Sequence, residues 1–306
     1  ESGFSVRSGE NGTGPHLSDE GLTTVWNRFQ IDPVAYLEDH HCLEHDQPVA
    51  RWDYGFPLGN GSMGAMAYGA PESLRFAIGA NAVWDRREPA DSNYPRGTFA
   101  DLRRALETGD RELFESLKHP PEDRPQASSL KPGATLEVEL FPAALAGAFS
   151  QRLSFAHAES SVTCRPGGAG YRADSSRWAP PYTMLRSFVH AARDVLCLRA
   201  DCGPHFDFVP PVSVTLSRPP DGIGSRVRVD AGQVVTLTCT LSAGDVFVIA
   251  VGVSGGSVET STTQDRSFVQ IMPEEGSFEV YAALATSLEA EDPRSSAIEL
   301  VEQDDG

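Results

Sequence analysis

An all-β fold, a large antiparallel β-sandwich (a super-sandwich), is what this sequence of 306 residues predicts. Three observations predict it. Apolar residues alternate with polar ones at period two in many short runs, turn residues separate those runs, and helical spacing is confined to two places. Length alone allows two domains of about 150 residues, but an all-β chain of this size can be one.

Residues 1–24 are rich in Gly, Ser, Asn and charge and read as a flexible lead-in, with order expected from about residue 25. A sandwich domain is expected over 25–288, and the start of a linker helix over 289–306. The stretch 51–69 packs Gly55, Gly59, Gly61, Gly64 and Gly69 among large apolar side chains. Residues 63–68 and 73–78 read as two short strands, with Ala70, Pro71 and Glu72 turning between them. A short helical insertion follows. Phe99, Leu102 and Leu106 recur at helical spacing after Thr98, an N-cap residue, and Gly109 ends the run. A second helix from Asp110 carries Leu113, Phe114 and Leu117 and stops at Pro120-Pro121.

From there the period changes to two. Leu136, Val138 and Leu140 alternate with Glu137 and Glu139; Val212, Val214 and Leu216 alternate with Ser and Thr; Val235, Leu237 and Cys239 alternate with threonines. Further strands are expected at 153–155, 161–164, 182–190, 195–201, 226–229, 246–253, 268–272 and 278–283. Runs with one apolar face and turns between them have to bury that face against a second sheet. Near the C-terminus, Asp292 as cap and Pro293 at the first helical position start a helix bearing Ile298, Leu300 and Val301, expected to be a connector.

Composition narrows the function classes. Forty-three acids against 25 bases give a net charge of −18, and no basic stripe is present to bind phosphates, so neither nucleic acid nor membrane is an expected partner. Of the bases only Lys118 and Lys131 are lysine. An apolar fraction of 40% suffices for a buried core. No run approaches the ~18 apolar residues of a membrane helix, and the first 30 residues lack the apolar segment of a secretory leader. The compartment stays open. Five scattered cysteines leave at least one unpaired within the chain.

Several motifs carry chemistry on paper. Gly59-Asn-Gly61-Ser-Met-Gly64 is a literal G-x-G-x-x-G, but Pro57 precedes it and a strand-like run follows, so the helix that would meet a pyrophosphate is missing. These glycines read as a tight turn where backbone segments approach closely. His40-His41-Cys42-Leu-Glu44-His45 mixes imidazole with thiol, yet no second paired cluster completes four ligands, and His157, His190 and His205 are isolated. No metal and no cofactor is expected. No G-x-S-x-G is present, and the sequons at Asn11 and Asn60 are of a kind that chance supplies. Trp84-Asp85-Arg86-Arg87 offers an indole beside an acid and two guanidiniums, which suits stacking on a sugar and equally suits a core-edge anchor with an internal ion pair.

Taken together, Trp52-Asp-Tyr-Gly-Phe-Pro57-Leu-Gly-Asn-Gly61-Ser-Met-Gly64-Ala-Met-Ala-Tyr-Gly69 and the later Asn81…Trp84 resemble the opening of glycoside hydrolase family 95, the α-L-fucosidase and α-L-galactosidase family. The stretch Arg186 to Arg199 is similar to a second feature of that family's N-terminal β-domain. Two departures stand out: Gly79-Ala-Asn-Ala-Val-Trp84 replaces the usual Asn-Glu-Asp-Thr-Leu-Trp, and Ser62 sits where a bulkier residue is common. They leave the sugar undefined. The resemblance implies an inverting glycosidase whose acid and water-activating residues lie in an (α/α)6 barrel C-terminal to the β-domain, so no catalytic residue is assigned here. It implies two partners, that catalytic barrel (in cis or in trans) and carbohydrate. Asn60, Trp84, Asp85 and Arg86 are the candidates for a loop facing the sugar cleft or the domain interface, while Gly59, Gly61 and Gly64 are assigned to the turn. Two readings compete with the supporting domain: a stand-alone carbohydrate-binding module, and an autonomous hydrolase. A supporting domain should expose apolar surface around the C-terminal helix; a stand-alone module should be polar there.

Overall fold

The computed structural model describes residues 32–86, 98–118, 128–140, 148–165, 183–201, 211–220, 226–230, 232–263, 265–273 and 276–303. The expected lead-in over 1–24, and with it Asn11, Arg87, Pro120-Pro121, Tyr182, Cys202, His205 and residues 304–306, lie outside the described residues. The first elements are α1 (Pro33–His40), β1 (Cys42–His45), a 3-10 turn (Trp52–Tyr54), β2 (Phe56–Gly59), β3 (Met63–Ala70), β4 (Ser73–Ala80) and β5 (Trp84–Asp85). Then come α2 (Phe99–Thr108), α3 (Arg111–Lys118), β6 (Ser129–Leu130), β7 (Ala134–Glu139), β8 (Ala148–Ser154), β9 (Glu159–Arg165), β10 (Thr183–Val189) and β11 (Val195–Asp201). The chain continues through β12 (Val212–Ser217), β13 (Arg226–Asp230), β14 (Val235–Thr240), β15 (Val246–Ser254), β16 (Gly256–Thr262), β17 (Arg266–Pro273), β18 (Ser277–Thr286) and α4 (Pro293–Glu302).

Among the described residues nine strands form one sheet in the order β1-β8-β9-β10-β11-β18-β15-β14-β13, seven form a second, β16-β17-β12-β7-β4-β3-β2, and β5 and β6 form a small third. Neighbouring strands run antiparallel, as in β4 against β7 and β11 against β18, so the expected all-β sandwich is the observed fold. Period-two alternation builds it directly. Leu74, Phe76 and Ile78 of β4, with Leu136 and Val138 of β7, face Leu196, Leu198, Ile249 and Val280 of the opposite sheet in one continuous core.

β15 and β18 are different, because they read as nearly unbroken apolar runs. A second core explains them: Val195, Val248, Ala250, Tyr281 and Ala283 on the outer face of the nine-stranded sheet are covered by Ala297 and Val301 of α4. Strands buried on both faces lose their alternation. Gly252 on β15 permits the close packing, since a Cβ there would overlap Val301 Cγ1. Asp292 caps α4 by accepting from Arg294 N and Ser295 N, and Pro293 opens the helix. The C-terminal helix is thus docked on the sheet along its length, with Arg294, Ser295, Glu299 and Glu302 facing solvent.

The helical insertion forms as its pattern predicts. Thr98 and Asp101 make a reciprocal capping box, and Gly109 closes α2 in the left-handed conformation (φ 66°). α2 and α3 pack chiefly on each other, and Phe99 and Leu106 stay 81% and 63% exposed.

α1, β1, β2, β5, β6 and β16 carry no expectation from the sequence, for physical reasons. α1 buries no residue at all, so it has no apolar stripe to recognise. It is held by polar contacts: Arg152 bonds the Glu38 carboxylate (Nη1–Oε2 2.6 Å) and the Glu38 carbonyl, and Ser154 Oγ donates to Glu38. β16 lies at a sheet edge and exposes most of its Ser, Thr and Glu side chains, which removes the alternation a strand would show.

Candidate functional site

The registers gather five connections at one end of the sandwich. Met63 pairs with Ala80, Val195 with Ala283, and Thr240 with Val246. The β2–β3 turn, the 81–86 segment after β4, the β10–β11 hairpin, the β14–β15 turn and the link from β18 to α4 therefore lie together. All the sequence-derived candidates fall here. The G-x-G-x-x-G run is the β2–β3 hairpin: Gly59 pairs with Gly64, and Gly61 sits at φ 94°, a conformation that glycine adopts without strain.

Asn60 is the hub of this turn. Its Oδ1 accepts from Ser62 N and Met63 N, both at 2.9 Å. Its Nδ2 lies 3.1 Å from His190 O, 3.0 Å from Arg193 O and 3.1 Å from Asp194 Oδ1. Ser62 Oγ donates to the other Asp194 oxygen at 2.8 Å. Two donors and two acceptor sites are all an amide side chain has, so Asn60 is saturated by the protein and ties the glycine turn of one sheet to the hairpin of the other. Beside this clamp lies a cleft of about 430 Å³, walled by Asn60, Ser62, Asp194, Leu284, Ser296 and Leu300 among others.

The 81–86 segment is anchored to the same turn, because Asn81 N bonds Ser62 O and Asn81 Nδ2 bonds Gly61 O at 2.7 Å. Beyond it, Trp84 pairs with Leu130 in the small β5–β6 ladder. The indole Nε1 donates to Ser128 Oγ at 2.6 Å, and the ring is 41% exposed. Asp85 is fully buried and accepts from Ser242 Oγ at 3.4 Å. Arg86 makes a two-pronged contact with Asp245, its Nε 3.0 Å from Oδ2; that carboxylate raises the guanidinium's pKa. Within Trp84-Asp85-Arg86, then, Trp84 and Arg86 meet solvent, Arg86 being ion-paired across the end of the sandwich, and Asp85 lies inside.

Three participants carried no sequence signal: Asp194, Asp245 and Ser128 lie in ordinary turns, and only the fold brings them to their partners. The histidine cluster divides between two elements. His40 stacks on Tyr36 within α1, and His45 stacks on Phe56 (centroids 4.7 Å apart) with its Nε2 3.2 Å from Tyr54 O. Among the described residues no group of three potential metal ligands assembles, and no helix is long and apolar enough to cross a membrane. Cys42, Cys164, Cys197 and Cys239 are in no disulfide among the described residues.

The loop-end carboxylates Asp85, Asp194 and Asp245 each serve as acceptors for protein donors. Fold and site thus define an all-β sandwich domain whose loop-end carboxylates are engaged in holding its own loops. The family described as "Glycosyl hydrolase family 65, N-terminal domain" matches residues 43–291, and the chain belongs to that family. Among solved structures it is similar to a protein assigned as a kojibiose phosphorylase, from human microbiome, with 9% identity and a TM-score of 0.45. The similarity covers 86% of this chain and 34% of the other, so the chain spans about a third of that protein's length. No curated protein matches the sequence. The glycine-rich stretch resembles family 95, whereas the matched family carries the number 65; the two agree on the N-terminal domain of a glycoside hydrolase.

Proposed function

We propose that this chain is the non-catalytic N-terminal domain of a family-95-like inverting glycosidase, bracing an (α/α)6 catalytic barrel and presenting its loop end to the sugar cleft. The observation that carries this reading is the commitment of the loop-end acids. Inversion needs two carboxyl groups roughly 6.5–9.5 Å apart across a sugar, one ready to give a proton and one to activate water. Here Asp194 is bound by Asn60 and Ser62, and Glu289, which also lines the cleft, accepts from Thr286 Oγ1 at 2.9 Å.

The expected apolar surface is not at α4, whose outer face is polar. That polarity favours the second reading, a stand-alone carbohydrate-binding module. Exposed apolar groups occur elsewhere, with Phe99 and Leu106 on the helical insertion and Trp84 and Leu130 on the β5–β6 ladder. We assign the barrel contact to them.

The decisive assay offers the purified chain aryl α-L-fucosides, aryl α-L-galactosides, and α-glucosides with inorganic phosphate. No turnover is expected from the chain alone, and activity is expected when a catalytic barrel is supplied with it. Turnover by the isolated chain overturns the proposal. Replacing Phe99 and Leu106 by serine should weaken barrel association without changing the chain's own melting temperature; unchanged association refutes the contact surface.

A further inference from the structure

We propose that Trp52 and Tyr54, with the Arg51–Asp53 pair, form an auxiliary site for a neutral saccharide on the 3-10 turn that precedes β2. Both residues are largely exposed, 60% for Trp52 and 62% for Tyr54, although tryptophan is highly buried on average. Their exposure does not come from a loose loop. Gly55 follows directly, and a Cβ there would lie 2.8 Å from Ala67 O and 3.0 Å from Tyr68 Cβ, so the turn is pressed against β3. Tyr54 N bonds Arg51 O, Gly55 N bonds Trp52 O, and His45, stacked on Phe56, reaches Tyr54 O. The turn holds the two aromatic side chains out on a rigid base.

The polar groups beside them suit hydroxyl recognition. Arg51 Nε lies 2.9 Å and its terminal nitrogen 2.5 Å from the Asp53 carboxylate, and the guanidinium sits 5.3 Å from the Tyr54 ring centroid. An exposed guanidinium–carboxylate pair next to rings offers donors and acceptors to vicinal hydroxyls while a ring takes the apolar face of the sugar. The surroundings select a neutral ligand: Glu44, Asp46 and Asp53 are exposed nearby, and the chain's net charge is −18.

A protein partner fits less well. Two aromatic side chains offer at most about 150–250 Å² each, against roughly 600–1,500 Å² for an inter-domain contact. The turn also lies at the far end of β2 from the Asn60 clamp, so a domain seated on the loop end leaves it open. The ligand class rests on the carbohydrate-active reading above, but the site does not depend on where catalysis takes place.

The test titrates the full chain with maltotriose, cellotriose and fucosyllactose, following ligand resonances by saturation-transfer NMR and heats by calorimetry. Binding of at least one probe is expected, with Trp52→Ala weakening it by about tenfold or more, the loss of one stacking contact. Tyr54→Ala should also weaken it, Trp52→Phe should keep most of it, and Trp84→Ala should leave it unchanged. Because both rings are exposed, the variants should melt like the parent. Failure of all three probes to bind, or binding that survives Trp52→Ala, overturns the site. So does a Trp52→Ala variant that loses only self-association or barrel association, which reassigns the turn to protein contact. None of these outcomes alters the expectation that the isolated chain turns over no glycoside.

Discussion

Asn60→Ala removes the hub between the two sheets, and its cost follows from the bonds counted above. Two backbone N–H groups (Ser62, Met63), two carbonyls (His190, Arg193) and one Asp194 oxygen lose their amide partner. A typical bond is worth a net ~1 kcal/mol, and these groups are partly reached by water, so about 2–4 kcal/mol is expected. Urea denaturation monitored by far-UV circular dichroism measures it, and hydrogen exchange at residues 190–194 should rise in step. Asn60→Asp separates the mechanism from simple loss of packing. It keeps the two acceptor contacts to the turn but sets a carboxylate about 3 Å from Asp194, so it should be at least as destabilising as alanine near neutral pH. Below about pH 4, where one proton can be shared, much of that loss should be recovered. A change under about 0.5 kcal/mol in Asn60→Ala, or an aspartate variant milder than alanine at pH 7, refutes the clamp.

Three further outcomes follow from the geometry. Gly252→Ala should cost about 1–3 kcal/mol by forcing Val301 off β15, and pairing it with Val301→Ala should recover part of that loss in a double-mutant cycle read by denaturation. Glu38 should give the α1 attachment an acid limit. The Ser154 hydroxyl, and then Arg152, hold its carboxyl below the usual range, so its contribution is complete above the unfolded value of about 4.3 and fades as pH falls through the lower folded value. Exchange at residues 33–40 should accelerate there, and Glu38→Gln should abolish the pH step. Burial, aided by the charge of Glu72, pushes the Cys164 thiol up to about 12, so maleimide at pH 8 should leave the Cys164 peptide unlabelled until the chain is unfolded, as mass spectrometry would show.

What the sequence disclosed tracks what each element buries. β4, β7, β12 and β14 show one face to a core, so alternation alone located them within two or three residues. α2 was legible because Thr98, Asp101 and Gly109 act locally. The helix α1 buries nothing and left no periodic trace. At the loop end, the glycine turn could be read, but the role of Asn60 could not. Its partners stand 130 to 134 residues away and are mostly backbone atoms, which no residue type announces. Trp84-Asp85-Arg86 suggested a single cluster, yet consecutive residues on an extended segment point to opposite sides, which buries Asp85 between two exposed neighbours.

The seat of α4 has a mechanical side. Its last apolar residue, Val301, rests in the gap left by Gly252 on a strand that is hemmed in above and below. A pull on the backbone at Glu302 would meet that peg first, and the strain would enter the nine-stranded sheet at an interior strand rather than at its rim. That load falls on a strand paired with β14 on one side and β18 on the other, which an edge strand is not.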